Sequence, residues 1–221
     1  MREFRRLFLV AVVSGTLAGL LSFGAQYFAV IPLIQTAEKF EAAHEAHSYH
    51  EEEWKPAEGW QRNGFTALAT ILTSIGFSAV LFGLLYLTGR RIDARTGVLW
   101  GLAGFVCFSL APALGLPPEP PGVAVADLFD RQLWWAATVA ATAIGLYLIA
   151  VRPGWLLKLS GVVCLVLPHA VGAPAASGET VVPAQLVRQF MIASLTTAAL
   201  FWLALGIIGG VIDGRSSKLN Q

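Results

Sequence analysis

Six apolar stretches, each about 20 residues long, most constrain what this chain can fold into, because a helix needs about that length to cross a bilayer. They lie at Leu7–Ile31, Phe65–Thr88, Gly97–Leu116, Gln132–Val151, Trp155–Ala173 and Val187–Val211. Hydrophobic residues make up 56% of the 221-residue chain, and only 13% of its residues are charged. The sequence therefore predicts an all-α polytopic membrane protein with six transmembrane helices, built as one integral membrane domain over residues 1–221.

The basic residues predict which side of the membrane each loop faces, since cytoplasmic loops are enriched in Lys and Arg. With the N-terminus inside, ten of the fifteen basic residues fall on the inner side. The five on the outer side are Lys39, Lys55, Arg62, Arg131 and Arg188. Both termini are therefore expected in the cytoplasm, and eleven of the fourteen acidic residues in the outer loops.

Composition and motifs also exclude several classes of function. The net charge of +1 gives no general attraction to nucleic acid. The two cysteines, Cys107 and Cys164, lie in apolar runs without a CxxC pair, which indicates buried thiols rather than redox chemistry. The chain has no Walker A motif, no HExxH and no evident nucleophile–base pair. We therefore expect no enzyme activity and no prosthetic group.

The outward-facing segment 35–63 is unusually rich in histidine and glutamate. His44, His47 and His50 follow one another at a spacing of three among seven acids. On a helix, Glu41, His44, His47 and Glu51 share one stripe, with His50 within reach where the helix ends. Imidazole and carboxylate together suit divalent transition metals such as Co²⁺, Ni²⁺ and Zn²⁺. The pattern predicts a metal-capture segment, and the alternative is an ordinary solvated acidic loop.

Two further polar residues stand near the outer ends of the spans. His169 follows Pro168, and an ionisable group in a membrane helix is a functional candidate by default. Glu119 lies in the stiff turn GLPPEPPG. We expect both to face the ion's route. The alternatives are a histidine bonded to a neighbouring helix and a loop carboxylate braced by Arg131.

A pattern of prolines and arginines suggests three related helical hairpins. Each outward-going span carries a proline near its outer end, and each inward-going span begins after an arginine and an amide. The residues are Pro32, Pro112 and Pro168, and Arg62, Arg131 and Arg188. A proline frees a carbonyl one turn earlier, so a shared outer cavity rimmed by the arginines is expected. The alternative is that these residue types collect at membrane helix ends in any case.

Several stretches together resemble the CbtA-type family of predicted cobalt transporter subunits. They are PLIQTAEKFEAAHEAH from Pro32, WKPAEGWQRNGFTALAT from Trp54, GVLWGLAGFVCFSLAPALGLPPEPPG from Gly97, RQLWWAATVAATAIGL from Arg131 and LPHAVGAP from Leu167. The resemblance implies a bacterial or archaeal inner-membrane protein that takes up cobalt for cobalamin biosynthesis. It also implies a small, single-span, histidine-bearing CbtB-type partner. Carried onto this sequence, it adds Glu38 to the candidate residues.

These observations favour a transporter subunit for uptake of a divalent transition metal, with Co²⁺ ahead of Ni²⁺ or Zn²⁺. The outer segment would capture the ion, and protein oxygen and nitrogen would replace its water inside the bundle. The alternative is a non-conducting metal-binding or accessory membrane subunit of a larger transport complex. In both cases the partners are the lipid bilayer, the metal ion and the CbtB-type subunit, with no nucleic acid.

The predicted orientation can be tested with reporter fusions. A cytoplasm-active reporter placed after Gln221 should give signal, and a periplasm-active one at the same site should not, because the basic residues hold that end inside. Fusions after Thr180, in the last outer loop, serve as the reciprocal control. The opposite pair of results would reverse the topology and move the histidine segment to the cytoplasm.

Overall fold

The computed structural model describes residues 2–45, 56–88 and 93–219, and helices make up most of them. The helices are α1 (Arg2–Ala29), α2 (Ile31–Glu45), α3 (Trp60–Leu87), α4 (Ala94–Ala113), α5 (Leu128–Ala150), α6 (Trp155–Val171) and α7 (Ala184–Leu219). Within these ranges, extended pairing is limited to one antiparallel bridge between Val125 and Ser177. The prediction of an all-helical chain is confirmed.

Five of these helices are long and apolar enough to cross a membrane, namely α1, α3, α4, α5 and α7. The fifth predicted span corresponds to α6, a shorter apolar helix of 17 residues. It ends at Val171 because Gly172 adopts a positive φ of 90°, a conformation that suits glycine and stops the helix. The third predicted span ends at Ala113, ahead of the proline-rich turn, rather than at Leu116.

Side-chain caps fix two helix starts in the connections. The carboxylate of Asp127 accepts the backbone N–H of Phe129 at 2.9 Å, at the start of α5. Asp93 accepts the N–H of Thr96 at 2.8 Å, at the start of α4. This hydrogen bond holds the pKa of Asp93 below its ordinary value. Both aspartates satisfy backbone donors that have no partner within the helix.

The chain divides into two compact units. The first contains α1, α3, α4 as far as Leu102 and α7 from Thr196 onward. The second contains α2, the rest of α4, α5, α6, the first part of α7 and the connections 114–127 and 172–183. The first unit therefore holds mostly long apolar helices, and the second holds most of the candidate site residues.

In the first unit, α1 packs closely on α3 at two glycines. A Cβ on Gly15 would lie 2.5 Å from the Cα of Ile75, and one on Gly19 would lie 2.9 Å from the Cα of Ile71. The hydroxyls of Ser14 and Ser78 meet at 2.8 Å in the same buried interface. Small residues and hydroxyls are the usual means of holding membrane helices together.

The glycines of α4 and α7 make a second contact of this kind within the first unit. Gly97 and Gly101 of α4 face Gly206, Gly210 and the backbone of Trp202 in α7. A Cβ at any of these glycines would collide with backbone atoms, which cannot move as a flexible side chain can. The spacing of four residues keeps the glycines on one face of each helix.

A buried ion pair joins the first and last helices of the chain. Nε of Arg6 lies 3.1 Å from Oδ1 of Asp213, and Asp213 is buried whereas Arg6 is about a quarter exposed. Charged groups in a membrane helix are costly unless they are paired. The pair therefore fixes α1 beside the end of α7 within the first unit.

In the second unit, α5 packs along α6. Gly145 and Gly161 bring the two backbones together, with a Cβ on Gly145 only 2.7 Å from the carbonyl oxygen of Gly161. A π-helical turn over Val106–Leu110 interrupts α4 and also contacts α5. Ala111 N–H donates to the carbonyl of Val106 across this turn, just before Pro112, which has no N–H to give.

The two long connections of the second unit pair with each other and with α2. Ser177 N–H donates to Val125 O, and Val181 N–H donates to Gly122 O at 3.0 Å. Ala37 of α2 is fully buried in an apolar cluster with residues from both connections and from α7. The cluster consists of Leu33, Ala37, Val123, Val181, Val182, Leu186 and Val187. We refer to the connections 114–127 and 172–183 as the loop pair.

The ion pair between Arg6 and Asp213 leads to a stability prediction. Asp213→Leu should lower the free energy of unfolding by about 3 kcal/mol, because it leaves the Arg6 charge partly buried without its partner. The double variant Arg6→Leu, Asp213→Leu should recover most of the loss, since apolar side chains replace buried ion pairs at little cost. Unfolding in detergent micelles measures both. Equal stability of the single and double variants would contradict a structural role for the pair.

Candidate functional site

Helix α2 carries the described part of the histidine-rich segment. The face of α2 that carries Ala37 packs into the apolar cluster, and this packing determines where the polar residues of α2 lie. Glu38 and Glu41 are half-buried, and His44 is exposed in the last turn. The segment predicted as an outer loop is thus helical at its start, up to Glu45.

Glu41 lies against the loop pair. Its Cβ is 3.5 Å from the position that a Cβ on Gly122 would occupy, and Gly122 has a positive φ of 78°. The side chains of Val181 and Val182 crowd the same glycine. Glu41 is four residues after Ala37, so it leaves the same face of α2 just beyond the apolar cluster. This contact brings a carboxylate of α2 to the proline-rich connection that holds Glu119.

Glu119 sits half-buried between prolines and interacts with Arg131. Burial raises the pKa of the Glu119 carboxyl, and the positive charge of Arg131 partly offsets that rise. Pro120 beside it is buried, so the turn is packed against the protein rather than extended into solvent. The chain thus holds Glu119 in a partly dry site with one cation nearby.

His169 contacts Trp134 near the end of α6. The two ring centroids are 5.8 Å apart, with the rings in an edge-on arrangement at 69°. The indole of Trp134 also covers Gly115, where a Cβ would lie 2.7 Å from Cζ2. Trp134 therefore fills the space between the turn that ends α4 and the histidine of α6.

Other predicted site residues lie apart or outside the described ranges. His47, His50 and Glu51 fall within 46–55, which the structure does not describe. Across 2–45, 56–88 and 93–219, no three His, Cys, Asp or Glu side chains converge as a metal site. The metal assignments of Glu38, Glu41, His44, Glu119 and His169 therefore remain predictions.

The predicted rim residues differ in their surroundings. Arg62 belongs to the first unit, whereas Arg131 and Arg188 belong to the second. The three prolines all belong to the second unit: Pro112 and Pro168 are buried there, and Pro32 is exposed at the start of α2. The shared cavity remains a prediction.

Sequence reasoning missed two buried threonines, Thr138 and Thr142 of α5. Both are essentially inaccessible, and their hydroxyls lack a hydrogen-bond partner among the residues that the structure describes. The signal was present in the sequence: Trp134, Thr138, Thr142 and Gly145 recur at helical spacing in an apolar run. Threonine is common in membrane helices, so the spacing alone did not separate them from packing residues.

Comparison with known families gives one match that extends over almost the whole chain. The family described as "Probable cobalt transporter subunit (CbtA)" matches residues 4–213. No curated protein and no solved structure matches the chain significantly. The matched region covers most of every described helix that is long enough to cross a membrane, together with both connections of the loop pair.

The pairing of Glu119 with Arg131 predicts a pH-dependent effect on stability. In Arg131→Gln the pKa of Glu119 should rise further, since only burial then acts on the carboxyl. A group whose folded-state pKa is raised loses its contribution to stability as pH rises through that value. The destabilisation should therefore be smallest at low pH, where Glu119 is protonated, and should grow as pH rises through the raised pKa of Glu119 in a scan from about pH 4 to about pH 8, reaching roughly 0.5–1 kcal/mol for a partly exposed pair.

Thermal unfolding in detergent across that pH range provides the measurement. The double variant Glu119→Gln, Arg131→Gln is the control, because it has no titrating group at position 119. Its stability relative to the wild type should not show the added loss at high pH. A destabilisation of the same size at every pH would mean that Arg131 supports the loop by packing alone.

Proposed function

The chain belongs to the CbtA family of probable cobalt transporter subunits, and from that premise we propose that it carries Co²⁺ into the cell. The family match over residues 4–213 is the single observation that carries this proposal. The apolar helices support it, since a hydrated divalent ion does not cross hydrocarbon without a protein pathway. Family membership also favours a location in the bacterial or archaeal inner membrane and a role in supplying cobalt for cobalamin biosynthesis.

We take α6 as the sixth span. Its 17 residues give a length of about 26 Å at 1.5 Å per residue, a few ångströms short of the ~30 Å hydrocarbon core. Its packing along α5, which is long enough to span, supports this assignment. Six spans with both termini in the cytoplasm place α2 and the loop pair on the outer side. The arrangement of the six spans as three related helical hairpins is part of the same proposal.

The capture site in this proposal lies on the outer side of the membrane. Glu38, Glu41 and His44 of α2 would receive the ion together with His47, His50 and Glu51 of the following segment. The half-buried position of Glu41 beside the loop pair supports a path from this segment toward Glu119. His169 would then take part in a weak transit site, which a transporter needs because a tight site does not release its ion.

An accessory role is the second candidate function. The family description itself says "subunit", which favours a complex with at least one other component. In that case the chain would bind the ion and deliver it to a path completed by a CbtB-type single-span partner. No prosthetic group and no enzymatic step are needed in either function.

Uptake of radioactive cobalt into proteoliposomes tests the proposal. The chain, alone or with its single-span partner, should take up Co²⁺, and Glu119→Gln should lower uptake per folded molecule by about tenfold, the effect of losing one charged ligand worth ~1.4 kcal/mol. Glu179→Gln is the matched control, since Glu179 is an exposed glutamate in the other half of the loop pair.

The outcomes separate the two functions. Uptake by the chain alone supports a transporter, whereas uptake only with the partner, together with cobalt binding by the chain alone, supports the accessory role. A double variant His44→Ala, His47→Ala tests the capture segment in the same vesicles. Cobalt uptake equal to that of empty vesicles, with and without the partner, would contradict both functions.

A further inference from the structure

One face of α5 carries three polar atoms that the protein buries and leaves without partners. They are Nε1 of Trp134 and the hydroxyls of Thr138 and Thr142, each without a hydrogen-bond partner among the described residues. Thr138 is 0% exposed and Thr142 is 1% exposed. The three residues are four apart, so their side chains lie in one row along the helix.

Several other hydroxyls in the described helices do find a partner within their own helix. Five of them donate to the carbonyl four residues earlier, which is the usual solution for a hydroxyl in an apolar helix. The donors are Ser14, Thr36, Thr66, Ser74 and Ser160, at 2.5 to 3.0 Å. Thr138 and Thr142 do not make this bond, so their hydroxyls remain available to a ligand. A buried polar group left unpaired destabilises the fold, and a bound partner would remove that cost.

The row faces α6, because contacts at both of its ends lie on that helix. Trp134 meets the ring of His169, and Gly145 meets the backbone of Gly161. These two contacts fix the antiparallel register of α5 and α6. Three residues before Gly145 is Thr142, and three residues after Gly161 is Cys164, so Thr142 lies level with Cys164.

That level of α6 offers a carbonyl that has lost its usual donor. Pro168 lies inside α6 and has no N–H, so the carbonyl of Cys164, four residues earlier, has no backbone donor at its usual position. The hydroxyl of Thr142 thus lies level with a freed carbonyl on α6, with Thr138 and Trp134 one and two turns further along the same row, yet no direct hydrogen bond satisfies Thr138 or Thr142 among the described residues. A freed carbonyl at membrane depth is tolerated where it lines a cavity or meets water.

We propose that a chain of water molecules occupies the interface between α5 and α6, linking Trp134, Thr138 and Thr142 along the row and reaching the carbonyl of Cys164 at the level of Thr142. Water fits the chemistry because it both accepts and donates. A cation bound directly is excluded at the Trp134 end, since indole N–H only donates. We call this water-filled part of the interface, from Trp134 to Thr142, the hydrated strip. It ends where Gly145 and Gly161 bring the two helix backbones into contact. Trp134 and Gly145 are about 16 Å apart along the helix.

The hydrated strip provides a water-lined surface beside His169 in the outer half of the second unit. As part of the ion's route it would let a hydrated cation keep some of its water at membrane depth, instead of losing the whole shell at once. This role rests on the proposed transport function. The hydration itself does not, because it follows from the unpaired donors and the freed carbonyl.

Accessibility of single cysteines to Ag⁺ tests the hydration. In a full-length background with Cys107→Ala and Cys164→Ala, the variants Thr138→Cys and Thr142→Cys are compared with Ala140→Cys. Ala140 lies between the two threonines at the same depth, but on the exposed face of α5. Vesicles containing each folded variant are treated with Ag⁺, quenched and denatured, and a maleimide gel shift then counts the remaining thiols.

We expect Ag⁺ to reach the cysteines at 138 and 142 about tenfold faster than the one at 140, because thiols ionise and react in water rather than in lipid. Either position suffices if the other variant fails to fold. Rates at both positions no faster than at 140 would overturn the proposal and mean that the interface is dry.

The role in transport has a separate readout. Thr138→Val with Thr142→Val keeps the shape and removes both hydroxyls, so cobalt uptake per folded molecule should fall by about tenfold. Normal uptake in this variant, with fast Ag⁺ access at 138 and 142, would leave a hydrated interface that is not the ion's route. Absence of uptake by the wild-type chain, with and without its partner, would contradict the transport function but not the hydration.

Discussion

The structure depends on one constraint: in hydrocarbon, every backbone N–H and C=O needs a partner within the protein. Helices meet this demand almost everywhere in the chain, and their association then relies on close packing rather than on the hydrophobic effect. The glycine contacts of α1 with α3, of α4 with α7 and of α5 with α6 are the result. At each of these contacts, the backbone of the neighbouring helix occupies the space that a side chain at the glycine would need.

The exceptions to that constraint gather in the second unit. Pro112 follows a π-helical turn, and Pro168 interrupts the hydrogen-bond ladder of α6. Close to the second of these lie His169, Trp134 and the unpaired threonines of α5. In the first unit, buried polar side chains pair with one another: the hydroxyl of Ser14 is hydrogen-bonded to that of Ser78, and Arg6 forms an ion pair with Asp213. Among the residues that the structure describes, buried hydroxyl and indole groups without hydrogen-bond partners are thus found in the unit that also carries most of the candidate ion ligands.

The loop pair shows how connections without regular structure become part of a site. Its backbone bonds and the apolar cluster around Ala37 dock α2 against it, and this docking half-buries Glu41. The same packing keeps Glu119 partly dry, so its carboxylate is sensitive to the charge of Arg131. An acidic residue in a freely solvated loop would feel neither effect. The position of these carboxylates therefore follows from apolar contacts made several residues away.

Much of the architecture could be predicted from the sequence because membrane helices are local in origin. The apolar runs identify the spans, and spaced glycines such as Gly15 and Gly19 mark close helix contacts. The ends of α4 and α6 were less predictable, since glycine and proline conformation set them rather than hydropathy. The importance of Thr138 and Thr142 could not be predicted, because a threonine in an apolar helix usually satisfies itself on the preceding turn.

The sequence by itself determined that the chain is helical, apolar and multi-spanning, and it carried the resemblance to cobalt transporter subunits. These properties depend on residue type and on spacing along one helix. Only the tertiary structure decided that Trp134 contacts His169, that Thr142 lies level with Cys164 and that Glu41 reaches the loop pair. The reason is physical: such pairs are far apart in sequence, and their meeting depends on the register at which two helix backbones touch. That register is set by glycines and prolines on both partners together, and neither segment specifies it alone.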